Sequence, residues 1–298
     1  MAGPNESMAV AVFAHNEEHA ILACLHSVRA ALGPYDRCVV LTNGCTDRTG
    51  ELVAAFCRHN PFCQLVRLEL GDKANAWNAF VHDQAPRADS YIFLDGDCTV
   101  LPQACAALAE ALRGHPRAHA AAALPAEGVG MVNRRQLREQ GGLAGNLYAL
   151  SGAFVERLKL HQVRLPVGLI GDDSLIGALA YWDLDPRTEW DRTRIVTAEQ
   201  ARFAYRPLSI WSPRDLRLYY RRRVRYSLRR LQIELLRPLL KQRGLAAIPD
   251  HIGELYQNTG ADVALRWSGL DCWFDYLAIR QVRARVRHAG PALITRRR

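Results

Sequence analysis

The sequence predicts an α/β protein with a mainly parallel sheet flanked by helices and a helical C-terminal extension. Three observations carry this. Short apolar runs alternate with segments of helical period through the first hundred residues. Each apolar run ends in a polar stretch, in turn "AHNEE", "TNGCTD", "LGDKAN" and "DGDCT". From Pro213 onward the alternation gives way to helical periodicity alone. Strands separated by helices of about ten residues imply right-handed crossovers, and the loops at the carboxyl ends of such strands open on one edge, where ligands bind.

Ala9 to Ala14 is the first strand, and apolar residues at 21, 22, 25, 28 and 32 mark the helix after it, with Asn16 as its N-cap and Glu17 and Glu18 facing the positive end of its dipole. Cys38 to Leu41 is the second strand, followed by a helix over Gly50 to His59. Cys63 to Leu70 is the third, followed by a helix around Ala74 to Val81. Tyr91 to Leu94 is the fourth, with an alanine-rich helix after Pro102. Beyond residue 140 the pattern is coarser. Gly141, Gly142 and Gly145 precede a helix through Leu158, "LIGDDSLIGALAYW" reads as a loop entering a helix, and "WDRTRIVTAEQARFAY" as two extended segments joined by a turn. Pro213 to Arg243 and Asp250 to Val286 are helical in period. The boundaries drawn are residues 1–210 for the sheet domain and 211–298 for a basic helical region.

A chain of 298 residues with 49% hydrophobic and 23% charged residues can bury a sizeable core, which excludes a disordered tail. No apolar run reaches the roughly 18 to 20 residues that span a bilayer, and "MAGPNESMAV" lacks the order of a secretory signal, so the expected location is the cytoplasm. Eight cysteines at irregular spacings, without a CxxC pair, are expected to be reduced and mostly part of the core. The net charge of +9 is concentrated: Arg214 to Arg243 holds eleven Arg or Lys against Asp215 and Glu234. Such a block fits an anionic partner or membrane surface, or a solvated helix face.

The residues with most chemical content are Asp95 and Asp97, which end the apolar run "YIFL" on either side of Gly96. Two carboxylates on one loop can converge on a hard divalent cation and leave positions for substrate phosphates. Without a cation they repel, and one must take a proton or turn to water. A second acidic pair, Asp172-Asp173, directly precedes the apolar run "LIGALAYW" and can serve as a base or as a helix cap.

In their order, "AVFAHNEE", "VVLTNGCTDRT", "GDKANAWNAF", "FLDGDCTV" and "LIGDDSLIGAL" resemble the family 2 glycosyltransferases of the GT-A (Rossmann-like) fold, over roughly residues 8 to 185. The resemblance implies an enzyme that moves a sugar from a nucleotide-diphosphate donor to an acceptor hydroxyl with inversion. It places the donor's nucleoside at Ala14, His15, Glu17 and Asn43, and Lys73 near its nucleotide or phosphates. Asp95 would meet the ribose, and Asp97 with Asp95 a Mn or Mg ion bridging the diphosphate. Asp173 becomes the acceptor's base, with Asp172 as the second carboxylate. Arg222, Arg225 and Tyr226 resemble a relaxed form of the family's QxxRW motif, which lies near acceptor and diphosphate. Three departures stand out: Phe13 and His15 replace a proline and a tyrosine, Thr42-Asn43 replace two acids, and Asp172 replaces a glutamate. His15 can be a hydrogen-bonded structural residue or stack near the donor base.

Other classes fit the residues less well. A nucleic-acid-binding protein would use the Arg214 to Arg243 block, but no nucleic-acid motif accompanies it, so no nucleic-acid partner is expected. A nucleotidyltransferase would need a glycine-rich N-terminal loop where "AHNEE" stands. Peripheral contact with an anionic membrane at its inner face, through basic residues interleaved with Leu and Tyr, suits a lipid-linked acceptor.

Overall fold

The computed structural model describes residues 7–126, 135, 137–139, 141–209, 211–259 and 271–288. Two compact units divide the chain: Met1–Leu165 with Gly171–Pro207, and Pro166–Ile170 with Leu208–Arg298.

The first unit is a mixed sheet between helices. Strands β1 (Met8–Ala14), β2 (Arg37–Asn43), β3 (Cys63–Leu68) and β4 (Ser90–Asp95) pair in the order β3-β2-β1-β4, all parallel. Every residue of β1 is buried, as expected of a strand covered on both faces. Helices α1 (Ile21–Ala31), α2 (Thr49–Arg58) and α3 (Lys73–Ala79) are the crossovers. The four strand-ending loops therefore share one edge.

Past β4 the pairing becomes mixed. β5 (Cys98–Val100) follows the acidic loop, α4 (Ala104–Gly114) leads to β6 (Ala120–Pro125), and β7 (Leu147–Ser151) runs antiparallel between β4 and β6. β8 (Ile195–Tyr205) lies parallel to β6 and antiparallel to β5. Helix α5 (Gly152–Leu160) follows β7, and α6 (Asp172–Tyr181) carries the second acidic pair.

Several elements differ from the sequence reading, each for a local reason. Helix α1 begins at Ile21 behind Ala20, which makes no side-chain cap. Asn16 instead takes the left-handed conformation (φ 57°), and its Oδ1 accepts from Thr46 N at 2.8 Å, so it ties two loops together instead of capping. The helix foreseen through Leu158 starts only at Gly152, because Leu147 to Ser151 pairs in the sheet. The alanine run over β6 is a strand despite its helix-forming composition, since all six residues are buried between neighbours. The two extended segments near residue 200 are one strand: β8 pairs with β6 through Thr197 and again from Arg202, with a register shift between.

The second unit contains α7 (Pro213–Arg243), α8 (Ile252–Thr259) and α9 (Cys272–His288). Ser212 caps α7 by accepting from Asp215 N, and Pro213 stands where a helix tolerates proline. Gln232, fully buried in α7, donates to Tyr256 Oη at 2.7 Å and accepts from Ile170 N at 2.7 Å. The helical expectation over residues 260–270 lies outside the described residues.

Candidate active site

The site occupies the carboxyl edge of β1, β2 and β4 in the first unit. Its first two loops are knitted by backbone and side chain. Asn43, buried at the end of β2, donates from Nδ2 to Ala14 O at 3.0 Å. His15 is exposed, and its Nδ1 lies 2.6 Å from Asn43 O. A carbonyl can only accept, so Nδ1 is the donor in this contact. Glu17 N donates to Thr49 Oγ1 at 2.7 Å, and Glu18 N to Asp47 Oδ2 at 3.1 Å. Ala14, His15, Glu17 and Asn43 thus form one cross-linked rim.

The acidic loop rests against this rim. Gly96 N donates to Phe13 O at 2.8 Å, and a Cβ on Gly96 would stand 3.0 Å from that oxygen and 3.1 Å from Ala14 Cβ. A side chain here would force Phe13 or Ala14 to give by a few tenths of an ångström, which favours glycine between the two aspartates. Asp95 N donates to Asn146 O at 3.0 Å. Beneath the loop, Cys98 Sγ donates to Asp97 Oδ1 at 3.3 Å, and Asn146 Nδ2 reaches that sulfur at 3.4 Å.

Lys73 stands at the centre. Its Nζ lies 2.6 Å from Asp95 Oδ1 and 3.4 Å from Asp172 Oδ1, donates to Gly145 O at 3.0 Å, and sits 5.7 Å from the centroid of the Phe13 ring. A packed aromatic group places it there: α3 also carries Trp77, whose ring stacks on Phe93 at 5.9 Å and whose Nε1 donates to Tyr148 Oη at 3.1 Å. Phe93 in turn stacks on Tyr148 at 4.8 Å. Asp72 caps α3 by accepting from Asn75 N at 2.7 Å.

Gly171 (φ 91°) precedes α6 without a side-chain cap, so the left-handed turn delivers both carboxylates of the acidic pair into the first helical turn. Both are buried, and Asp173 lies against Gly145, with its Cγ 3.1 Å from where a Cβ there would be. Asp172 Oδ2 is buried and has no hydrogen-bond partner among the described residues. Capping alone does not account for that oxygen.

Electrostatics follow from this crowding. Burial pushes Asp95 up to about 6, helped by Asp97 and Asp172 and opposed by Lys73. Lys73 is held well above the usual lysine range: burial works against its charge, but Asp172 and Asp95 outweigh that. The Tyr148 phenol is raised by burial and then by Asp172.

The described residues contain no preformed cage of three or more His, Cys, Asp or Glu. The carboxylates of Asp97 and Asp95 are of the type that could hold a divalent ion which takes one or two carboxylates and completes its shell with water and substrate phosphates. The orphaned Asp172 Oδ2 is a further buried oxygen suited to a cation or a substrate donor.

The structure thus brings Asp95, Lys73, Asp172 and Asp173 together and joins Ala14, His15, Glu17 and Asn43 in the adjoining rim. Arg222, Arg225 and Tyr226 lie on α7 of the second unit, Arg225 and Tyr226 exposed and Arg222 half-buried. Gly145 and Asn146 escaped the sequence reading, because they act largely through main-chain oxygens. All eight cysteines are free, five of them buried.

The family model described as glycosyl transferase family 2 matches residues 9–163. No curated protein matches the sequence. Among solved structures, the chain is similar to the mannosyltransferase PcManGT from Pyrobaculum calidifontis in complex with GDP-Man and Mn2+: 18% identity, 96% of this chain and 76% of that one, TM-score 0.59. It is also similar to S. aureus TarS 1-349 in complex with UDP-GlcNAc (15% identity, 94% and 81% covered, TM-score 0.52). A third is glucosyl-3-phosphoglycerate synthase from Mycobacterium tuberculosis in complex with Mn2+, UDP and glucosyl-3-phosphoglycerate (19% identity, 74% and 78% covered, TM-score 0.51). At these identities the likeness is one of fold.

Proposed function

The chain belongs to glycosyl transferase family 2 and is a glycosyltransferase; from that premise we propose that it is a metal-dependent, inverting enzyme that moves a sugar from a nucleotide-diphosphate donor to an acceptor hydroxyl. The observation that carries this reading is the convergence of Asp95 and Asp172 on Lys73, with Asp172 Oδ2 left uncompensated. So much buried acid at a sheet's ligand edge makes sense if a cation and a diphosphate complete it. The complexes of similar folds with GDP-Man, UDP-GlcNAc and UDP support the donor class.

In this reading Ala14, His15, Glu17 and Asn43 hold the nucleoside, mainly through the cross-linked main chain, since the Asn43 amide is already engaged. Asp97 and Asp95 would hold Mn or Mg, which neutralises charge on the leaving diphosphate when bound. Lys73 lies within reach of the same charge and takes up part of it. Asp173 removes the proton of the attacking hydroxyl. Asp172 fixes Lys73 and orients its neighbour. A single displacement needs no covalent nucleophile. Arg222, Arg225 and Tyr226 are assigned to an acceptor or diphosphate group, which guanidinium binds in a forked geometry. The proposed location is the cytoplasm, with peripheral attachment to the inner membrane face.

The test is sugar release from a panel of nucleotide sugars by D97N and D173N. Both are expected to lose turnover by at least about a hundredfold, the usual worth of a positioned acid or base, while melting cooperatively. Unchanged transfer by either variant removes that residue from the mechanism.

A further inference from the structure

Residues 208–298 hold nineteen Arg or Lys, eighteen of them Arg, against seven Asp or Glu, while the rest of the chain is slightly acidic. Within the second unit, one face of α9 is buried: Asp275, Ala278, Ile279 and Val282 turn inward. Arg230 of α7 reaches Asp275 at 2.5 Å, and Tyr220 of α7 meets Phe274 edge-on at 5.5 Å.

The opposite face is unlike an ordinary solvated one. Trp273 (56% exposed) and Tyr276 (46% exposed) stack at 5.8 Å, and Arg280 and Arg283 follow at the spacing that continues the same stripe. Tyr276, Ile279, Arg280, Arg283 and Ala284 line a concavity of about 320 Å³. Indole and phenol rings, with an apolar body and a polar tip, partition to the boundary between headgroups and acyl chains. Guanidinium groups one turn further along bind phosphate, and the concavity they share with the Tyr276 ring can accept a headgroup. No described helix is long and apolar enough to cross a membrane, so any attachment through this stripe lies in the interface.

We propose that the Trp273–Tyr276–Arg280–Arg283 face of α9 seats the protein on an anionic phospholipid surface, the rings entering the headgroup layer and the two arginines binding lipid phosphates. Charge complementarity identifies the occupant: the stripe combines cations with interfacial aromatics in an arginine-rich unit. A single-stranded nucleic acid would call for successive aromatic platforms along a groove, and the stripe offers one stacked pair. This proposal gives a place to the peripheral membrane attachment proposed above, but it does not depend on the sugar-transfer chemistry, because no residue of the stripe belongs to the assigned site.

The test is flotation of the full chain with phosphatidylcholine vesicles, with and without phosphatidylglycerol. Wild type is expected to float with the anionic vesicles and to be released as salt rises. Each arginine near an anionic surface contributes about fivefold to partition, so R280Q/R283Q is expected to bind on the order of twentyfold more weakly. W273A/Y276A is expected to bind more weakly at every salt concentration. Far-UV circular dichroism melts should match wild type for both variants. The proposal is overturned if wild type stays with the unbound fraction, or if either folded double variant floats like wild type. It is likewise overturned if an oligonucleotide, and not the vesicles, binds in a manner lost in R280Q/R283Q. A melting shift by nucleoside diphosphate with Mn, measured on the same preparations, reports on the sugar-transfer site separately.

Discussion

Neutralising Asp95 should make the metal-free protein more stable and less useful. Its carboxyl is raised from 3.8 to about 6 by burial, then by Asp97 and Asp172, with Lys73 opposing. A group whose pKa is higher in the folded state binds more protons there than in the unfolded chain between those two values, so stability falls as pH rises across that window. Above about pH 6 the full penalty applies, about 3 kcal/mol at 1.36 kcal/mol per unit. The D95N substitution removes this cost while Lys73 keeps Asp172 and Gly145 O as partners. The expected gain for D95N is about 3 kcal/mol at pH 8, about half of that at pH 5 and under about 1 kcal/mol at pH 4. For a unit of this size that corresponds to a melting temperature on the order of 5–10 °C higher at pH 8. The assay is urea and thermal unfolding of wild type and D95N in a chelator across that pH range. A D95N that is less stable at pH 8, or a difference that does not shrink on acidification, refutes the electrostatic reasoning.

Two further outcomes follow from the geometry. G96A forces a Cβ to about van der Waals overlap with the main chain of Phe13 and Ala14, neither of which can swing away; it should cost roughly 1–3 kcal/mol and weaken metal-dependent nucleotide binding, both readable by calorimetry. A G96A protein that binds as wild type contradicts the close-packed loop. His82 and His119 are held below the ordinary histidine range, both first by burial, then by Arg164 beside His82 and by Arg194 and Arg157 around His119, against Asp183. The unfolded chain therefore takes up protons first as pH falls through 6.5, and stability declines below that pH. An H82Q/H119Q variant should lose less of its urea midpoint over the same interval.

The parallel half of the sheet was legible because its strands are apolar runs cut by polar loops, a pattern that burial on both faces imposes. Asp95, Asp97, Asp172 and Asp173 were legible for a related reason: acid at the end of a buried strand or the start of an apolar helix needs an explanation. Asn16 was misread because an Asn before a helical period fits a cap as well as a left-handed tie between loops, and only the second loop decides between them. β6 and β7 were missed because alanines and "LYALS" carry no strand signal of their own; their neighbours in the sheet supply it. The contribution of Gly145 to Lys73 is a main-chain oxygen, which no side chain announces. Lys73 was placed near phosphates by resemblance, but its pairing with Asp172, about a hundred residues away in sequence, required the fold.

The central claim is that the acidic cluster is a metal and diphosphate site. The most direct measurement is calorimetric titration of wild type and D97N with GDP, UDP, dTDP and CDP, in the presence of Mn and again with chelator. At least one nucleoside diphosphate is expected to bind wild type only with the metal, and D97N, still folded, to lose this binding. Binding that ignores the metal, or that persists unchanged in D97N, contradicts the claim.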